Sequence, residues 1–144
     1  MANMIRRMQP KEIEVVSDIW LQGNLEAHSF VKKNYWINNL NSVKEQFKEA
    51  DIYVFVDNEQ IMGFAGLQKN YLAGIFVKKE YQNHGVGRKL LDYLKREYSE
   101  LSLDVYDKNI QAKNFYLQNN FKVIHENIDK STNEVEYQMS WKGE

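Results

Sequence analysis

Residues 71 to 94 read YLAGIFVKKEYQNHGVGRKLLDYL, and most of the fold follows from that stretch. Tyr71 to Val77 predicts a strand, with Gly74 inside it, where glycine marks either a bulge or the close approach of a ligand. Lys78 to His84 is a polar loop. Val86, Leu90, Leu91 and Leu94, continued by Tyr98, recur at helical spacing and predict an amphipathic helix. Between strand and helix lies Gln82-Asn83-His84-Gly85-Val86-Gly87, whose two glycines let backbone N–H groups face inward. The helix start adds unsatisfied amides and the positive end of its dipole, so the turn suits an anion such as a pyrophosphate. Arg88 and Lys89 add charge from the first turn. The same pair of glycines also serves as a plain tight turn. A dinucleotide fingerprint would need a third glycine at Leu90, and a P-loop would need Gly-Lys-Ser/Thr; neither is present.

Working outward, Ile5 to Gln9 reads as a short strand, and Pro10 suits a first helical turn because its missing N–H would lack a partner there. Ile13, Val16, Ile19 and Trp20 follow at helical spacing until Gly23 interrupts. The stretch through His28 and Phe30 predicts a bend into a second helix, Tyr35 to Glu49, with Trp36, Leu40, Val43 and Phe47 on one face. Ile52 to Val56 is apolar on both alternating faces, as in a strand covered on both sides, and Asp57-Asn58-Glu59 turns the chain into Ile61 to Leu67. Downstream, Leu101 to Tyr106 alternates as a strand. Ala112, Phe115, Tyr116 and Asn119 share one face of a short helix, and Phe121 to His125 and Val135 to Trp141 close the chain as strands. The alternation in Val135 to Trp141 implies one wet face, suiting a one-sided edge or pairing between subunits. The order β-α-α-β-β-β-α-β-α-β-β predicts an α/β fold: a mixed, mostly antiparallel sheet of about seven strands flanked by about four helices. With no linker or repeat, residues 1–144 are expected to form one domain.

Composition excludes several functions. With 144 residues, 43% of them hydrophobic, the chain is sized for one core. A net charge of −1 is far from the basic excess of duplex binders, so nucleic acid is not an expected partner. No apolar run approaches the roughly 20 residues that span a bilayer, and Arg6 and Arg7 precede no signal core; a cytoplasmic protein without a membrane partner is expected. The sequence has no cysteine, which removes thiolate metal sites and a cysteine nucleophile. His28, His84 and His125 sit in no metal-ligand spacing, so no metal is expected.

Gln82-x-x-Gly85-x-Gly87 resembles the Q/R-x-x-G-x-G/A signature of the GNAT superfamily of N-acetyltransferases, placed as there between the fourth strand and the third helix. Asn109, Ala112, Phe115, Tyr116 and Phe121 resemble the family's second block. Trp20-Leu21, His28-x-Phe30, Asn34-Tyr35-Trp36, Val105-Tyr106-x-Lys108-Asn109 and Met139-Ser140-Trp141 are similar to the bacterial YiaC-type subgroup. The resemblance runs from Arg6 to Trp141. It implies acetyl-CoA as acetyl donor, giving CoA as product. The backbone of Ile75, Phe76 and Val77 would pair with the pantetheine arm. Gln82, Asn83, His84, Gly85, Val86, Gly87, Arg88 and Lys89 would hold the pyrophosphate, and Asn109, Phe115 and Tyr116 would complete the cofactor site. The acceptor is an amine-bearing small molecule or a protein lysine.

The resemblance gives Tyr116 the role of leaving-group acid at the cofactor sulfur. A phenol near pKa 10 giving its proton to a thiolate near 8.5 is uphill by roughly 2 kcal/mol, so donation of a hydrogen bond to the developing thiolate is the expected role. The carbonyl oxygen would meet a backbone N–H in Gly74 to Val77. The strand Tyr71 to Val77 lacks the glutamate many members use as base, leaving His28 or a water relay. Phe30, Tyr35, Trp36 and Tyr71 lie on segments that frame the acceptor groove in this family. Of these, Phe30, Tyr35 and Tyr71, with His28, are the expected substrate contacts, and aromatic faces there would favour an ammonium group. Trp36 is expected in the core. Without a cysteine, direct attack by the amine in a ternary complex is expected over an acyl-enzyme. A non-catalytic acyl-CoA sensor and a nucleotide-binding module are the alternatives, and a monomer and a homodimer are equally compatible.

Overall fold

The computed structural model describes residues 4–143. Its strands are β1 (Met4–Arg7), β2 (Asp51–Asp57), β3 (Gln60–Gln68), β4 (Tyr71–Val77), β5 (Glu100–Tyr106), β6 (Lys122–Asp129) and β7 (Glu134–Lys142). Its helices are α1 (Ile13–Ala27), α2 (Lys33–Glu49), α3 (Val86–Glu97) and α4 (Ile110–Gln118). The strands form a seven-stranded sheet in the order β1-β2-β3-β4-β5-β7-β6, antiparallel except for β4 against β5. This is the mixed α/β sheet with four helices expected from the sequence.

Local chemistry accounts for the boundaries. Pro10 opens a 3-10 turn, Pro10–Glu12, which ends β1 at Arg7, two residues short of the expected Gln9. Asn58 and Glu59, both at positive φ, make the two-residue connection of the β2–β3 hairpin, a geometry that matches strand twist. Gly23 does not interrupt the first helix: α1 runs through it to Ala27. A Cβ at Gly23 would come within 2.9 Å of the Phe76 ring, so this glycine lets α1 lie close against β4. β6 continues past His125 to Asp129, because Ile128 and Asp129 still pair with Val135 and Glu134.

The strand expected as an edge is internal. β7 lies between β5 and β6 and pairs with both, so Val135 to Trp141 offers no free edge; among the described strands the edges are β1 and β6. The polar alternation of Glu136, Gln138 and Ser140 arises because they share a sheet face with Asp104 and Tyr106, opposite the face that packs the core. On that core face Leu72, Leu101, Leu103 and Met139 bury against Leu90, Leu91 and Leu94 of α3. A second cluster, on the other side of β2 and β3, joins Val54 and Phe64 to Val16 and Ile19 of α1 and to Val43 and Phe47 of α2. No helix among the described residues is long and apolar enough to cross a membrane.

One discontinuity in the sheet makes the site. β4 and β5 run parallel and pair at Tyr71 with Ser102, supplemented by Ser102 N–H donating to the Asn70 carbonyl at 3.0 Å. Beyond that point they separate. The register shift between Gly66 and Leu67 leaves Ala73 as the extra residue of β4, a bulge that bends the strand away from β5.

Candidate active site

A cavity of about 560 Å³ opens where β4 leaves β5, within the range of small-molecule and cofactor sites. Ile75, Phe76 and Val77 of β4 form one wall, and Gly23, Ala27 and His28 come from α1. Gln82, Asn83, Gly85, Val86, Gly87 and Arg88 line it from the loop and the start of α3, and Asn109, Ala112, Phe115 and Tyr116 from α4 and its cap. Two of the expected cofactor residues do not line it. His84 is exposed outside the cavity. Lys89 is exposed, its ammonium 5.9 Å from the Phe55 ring centre.

Backbone geometry suits the loop to an anion. Asn83 and Gly85 both adopt positive φ, 66° and 83°, and Gly85 caps α3 without a side-chain hydrogen bond. No atom lies within 4 Å of a Cβ built at Gly85, so its requirement is conformational. Gly87 differs. A Cβ there would meet Phe115, Ile75 and Val77, all of which line the cavity, at ordinary contact distances of 3.8–4.0 Å. The Gln82 side-chain amide donates to the Val77 carbonyl at 3.2 Å, tying the loop to the end of β4. Arg88 lines the cavity while paired with Asp92 at 3.4 Å. The α3 amides with this charge beside them form a cradle that fits a phosphate-bearing group.

Main-chain groups of β4 face the same space. The N–H and C=O of one antiparallel residue point to the same side. The Val77 carbonyl meets Gln82 on the side away from β3, so the Val77 N–H points there as well. The Ile75 N–H, on that side too, lies toward the Tyr116 hydroxyl and favours its charged form. Gly74 makes room inside the protein: a Cβ there would fall 2.6 Å from the Phe76 ring, so its close approach is by this chain's own aromatic.

Tyr116 is buried on α4 between Phe115 and Phe121, whose rings meet it edge-on at 5.3 Å. Burial raises its phenol above the ordinary value, opposed by the Ile75 N–H, which favours the charged form. Tyr116 thus keeps its proton. Tyr116 lines the cavity, where a protonated phenol can donate.

His28 ends α1 in a polar chain. Its Nδ1 lies 2.9 Å from Asn24 Oδ1 and its Nε2 lies 3.0 Å from Asn109 Nδ2. The Asn24 amide donates to the Trp20 carbonyl, and Asn109 Oδ1 accepts from the Ala112 N–H. Burial pulls the imidazole down to about 4, so the ring is neutral at physiological pH.

The expected acceptor aromatics lie outside the cavity. Phe30 packs at 5.6 Å from His28 and 5.5 Å from Tyr106, and Tyr35 meets Trp36 at 4.8 Å. Trp36 is buried, as expected, and stacks on His28 at 5.3 Å. Tyr71 stands at the β4–β5 junction, donating to Asp104 at 2.8 Å. The sequence reading assigns Tyr106 no role at the site beyond its place in a subgroup fragment and does not single out Asn24. Tyr106 packs on His28 at 5.1 Å and donates to Asp129 at 2.6 Å; the fragment Val105-Tyr106-x-Lys108-Asn109 was the available signal. Among the described residues no group of three or more His, Asp or Glu could hold a metal.

An anion cradle at a strand-to-helix turn, a parted parallel strand pair and a tyrosine between them describe an acyl-CoA-dependent transferase fold. Residues 48–123, more than half of the chain, match the acetyltransferase (GNAT) domain, and the chain belongs to that family of acyltransferases. It is 29% identical over 140 residues to the peptidyl-lysine N-acetyltransferase YiaC of Escherichia coli K12, covering 96% of each chain. The solution structure of apo YjaB from Escherichia coli superposes with a TM-score of 0.87 at 26% identity, covering all of both chains. The YncA structure from Salmonella typhimurium, solved with its cofactor acetyl-CoA, has the same fold, with a TM-score of 0.72 at 15% identity over 100% of this chain and 95% of that one.

Proposed function

We propose that this protein transfers the acetyl group of acetyl-CoA directly to the side-chain amine of a lysine in a protein or peptide. The observation that carries the reading is Tyr116, a buried phenol that burial keeps protonated, at the wall of a cofactor-sized cavity beside the main chain of β4. The acceptor class is supported by the similarity to YiaC, a peptidyl-lysine N-acetyltransferase, along 96% of the chain.

Gly85, Val86, Gly87 and Arg88 would hold the pyrophosphate, and the main chain of Ile75 to Val77 the pantetheine arm. Bound acetyl-CoA supplies a thioester activated enough for a neutral amine to attack without an acyl-enzyme. The Val77 N–H, which faces away from β3, would be the donor for the carbonyl oxygen, where charge develops. Tyr116 would donate a hydrogen bond to the thiolate that leaves as the amine's N–C bond forms. The proton lost by the amine would leave through water, because both ring nitrogens of His28 are engaged and burial makes the imidazole a weak proton acceptor. The sequence contains no cysteine to carry the acetyl group.

The test combines free-thiol release from acetyl-CoA with mass spectrometry of a panel of lysine peptides and small primary amines. Acetylation at lysine Nε without a labelled, denaturation-stable acetyl-enzyme is expected. Acetyl-CoA binding with no thiol release for any amine would identify a sensor instead. Preference for a small amine would overturn the acceptor class alone.

A further inference from the structure

We infer that His28 is a positioning residue, the central link of a polar chain that joins the end of α1 to the cap of α4 and thereby orients Asn109 and the helix carrying Tyr116. The inference rests on the proposed acetyl transfer for its kinetic consequence but not for its structural content.

Donor and acceptor chemistry fixes the direction of every bond. The Asn24 amide nitrogen is spent on the Trp20 carbonyl at 2.9 Å, so Asn24 Oδ1 faces His28 as an acceptor. His28 therefore carries its proton on Nδ1 and presents a lone pair at Nε2. The Asn109 amide donates to that lone pair at 3.0 Å, leaving Asn109 Oδ1 to accept from the Ala112 N–H at 3.2 Å and cap α4. The orientations agree from Trp20 to Ala112, and each depends on the one before. A side-chain amide with both ends committed cannot flip without losing a bond.

The placement gives the chain a purpose. The His28–Asn109 bond connects residues 81 apart in sequence, and both line the cavity. Tyr116 lies on α4 two turns beyond the cap, so the cap sets where its hydroxyl sits. The other face of the imidazole packs on Trp36 and Tyr106, making His28 a wall shared by the cavity and the aromatic cluster of the α1–α2 bend. Titratable groups border that cluster: Tyr106 donates to Asp129, and Lys108 lies over the Phe30 ring at 5.6 Å. Burial alone lowers the imidazole to about 4, consistent with a ring used for its tautomer and not for its charge.

Imidazole 15N spectra of the full chain test the arrangement without any turnover. The chain has three histidines, so the His28 signals are assigned by their loss in His28→Gln. A neutral Nδ1–H tautomer from pH 5 to 8 is expected. An Nε2–H tautomer, or titration near the ordinary value of about 6.5, would overturn the inference. Kinetics then separate positioning from base catalysis. Gln at 28 can still accept from Asn109, so His28→Gln should retain kcat within about threefold, whereas His28→Ala should lose about tenfold or more through misplacement of Tyr116. Both should keep the parent's acidic limb in kcat/KM against pH. Equal defects in the two variants, or loss of that limb, would overturn the positioning role. An inactive parent would refute the proposed function, and the spectra would still decide the tautomer.

Discussion

Gly74→Ala tests how the cavity wall is packed. A Cβ at that position would lie 2.6 Å from Phe76 Cε2 and 2.8 Å from Cζ, so the ring must shift by about 1 Å to reach ordinary contact. Its other edge already fits against Gly23, where a Cβ would be 2.9 Å away, and its face stacks on Phe64 at 5.2 Å. The remaining direction is into the cavity, which Phe76 lines. Overpacking of this kind costs about 1–3 kcal/mol, and intrusion on the pantetheine channel should weaken CoA binding about tenfold. Urea denaturation and calorimetric titration with CoA measure both. Gly74→Ala with Phe76→Leu should recover stability relative to the sum of the single changes, because the clash is between those two residues. Unchanged stability and CoA affinity in Gly74→Ala would refute the reasoning.

Gly85→Ala places a side chain at a φ of 83°, and although nothing crowds it, the conformation should cost roughly 1 kcal/mol and weaken CoA binding; calorimetry checks both. The half-buried His28 predicts a pH dependence of stability. Its folded value of about 4 lies below the ordinary value, so the unfolded chain binds the proton first as pH falls. The contribution is complete above about pH 6.5, is lost between there and about pH 4, and amounts to no more than about 3 kcal/mol before screening at the exposed edge of the ring. Denaturation across that window should show a steeper loss for the parent than for His28→Gln, and parallel curves would contradict it. Carboxylates such as Glu12, held low by Arg6, act in the same direction and cancel in the comparison.

Periodicity made the elements legible: the Val86, Leu90, Leu91, Leu94 face and the doubly buried Ile52 to Val56 strand carry their burial in their spacing. The cradle was legible too, because Gly85 has a local conformational reason to be glycine. Gly23 and Gly74 were not, since their reason is a ring from another position, Phe76, and neither spacing nor propensity reveals it. The alternation of Val135 to Trp141 resembles an edge because one-sided burial looks the same in an uncovered internal strand. His28 appeared as a candidate base because its type suits that chemistry. Its bond to Asn24 is local, but its bond to Asn109 spans 81 residues, and its preference for the neutral form comes from burial that only the folded chain provides.

The central claim is that the Tyr116 hydroxyl acts in the transfer step, and Tyr116→Phe tests it most directly. The change removes one oxygen while keeping the ring between Phe115 and Phe121, so the fold should lose only about 1 kcal/mol. With a lysine peptide and saturating acetyl-CoA, kcat should fall roughly 10²- to 10³-fold, the cost of removing a donor to developing charge, while the CoA dissociation constant stays within about twofold. Turnover unchanged in Tyr116→Phe, with the same peptide and pH, would contradict the account.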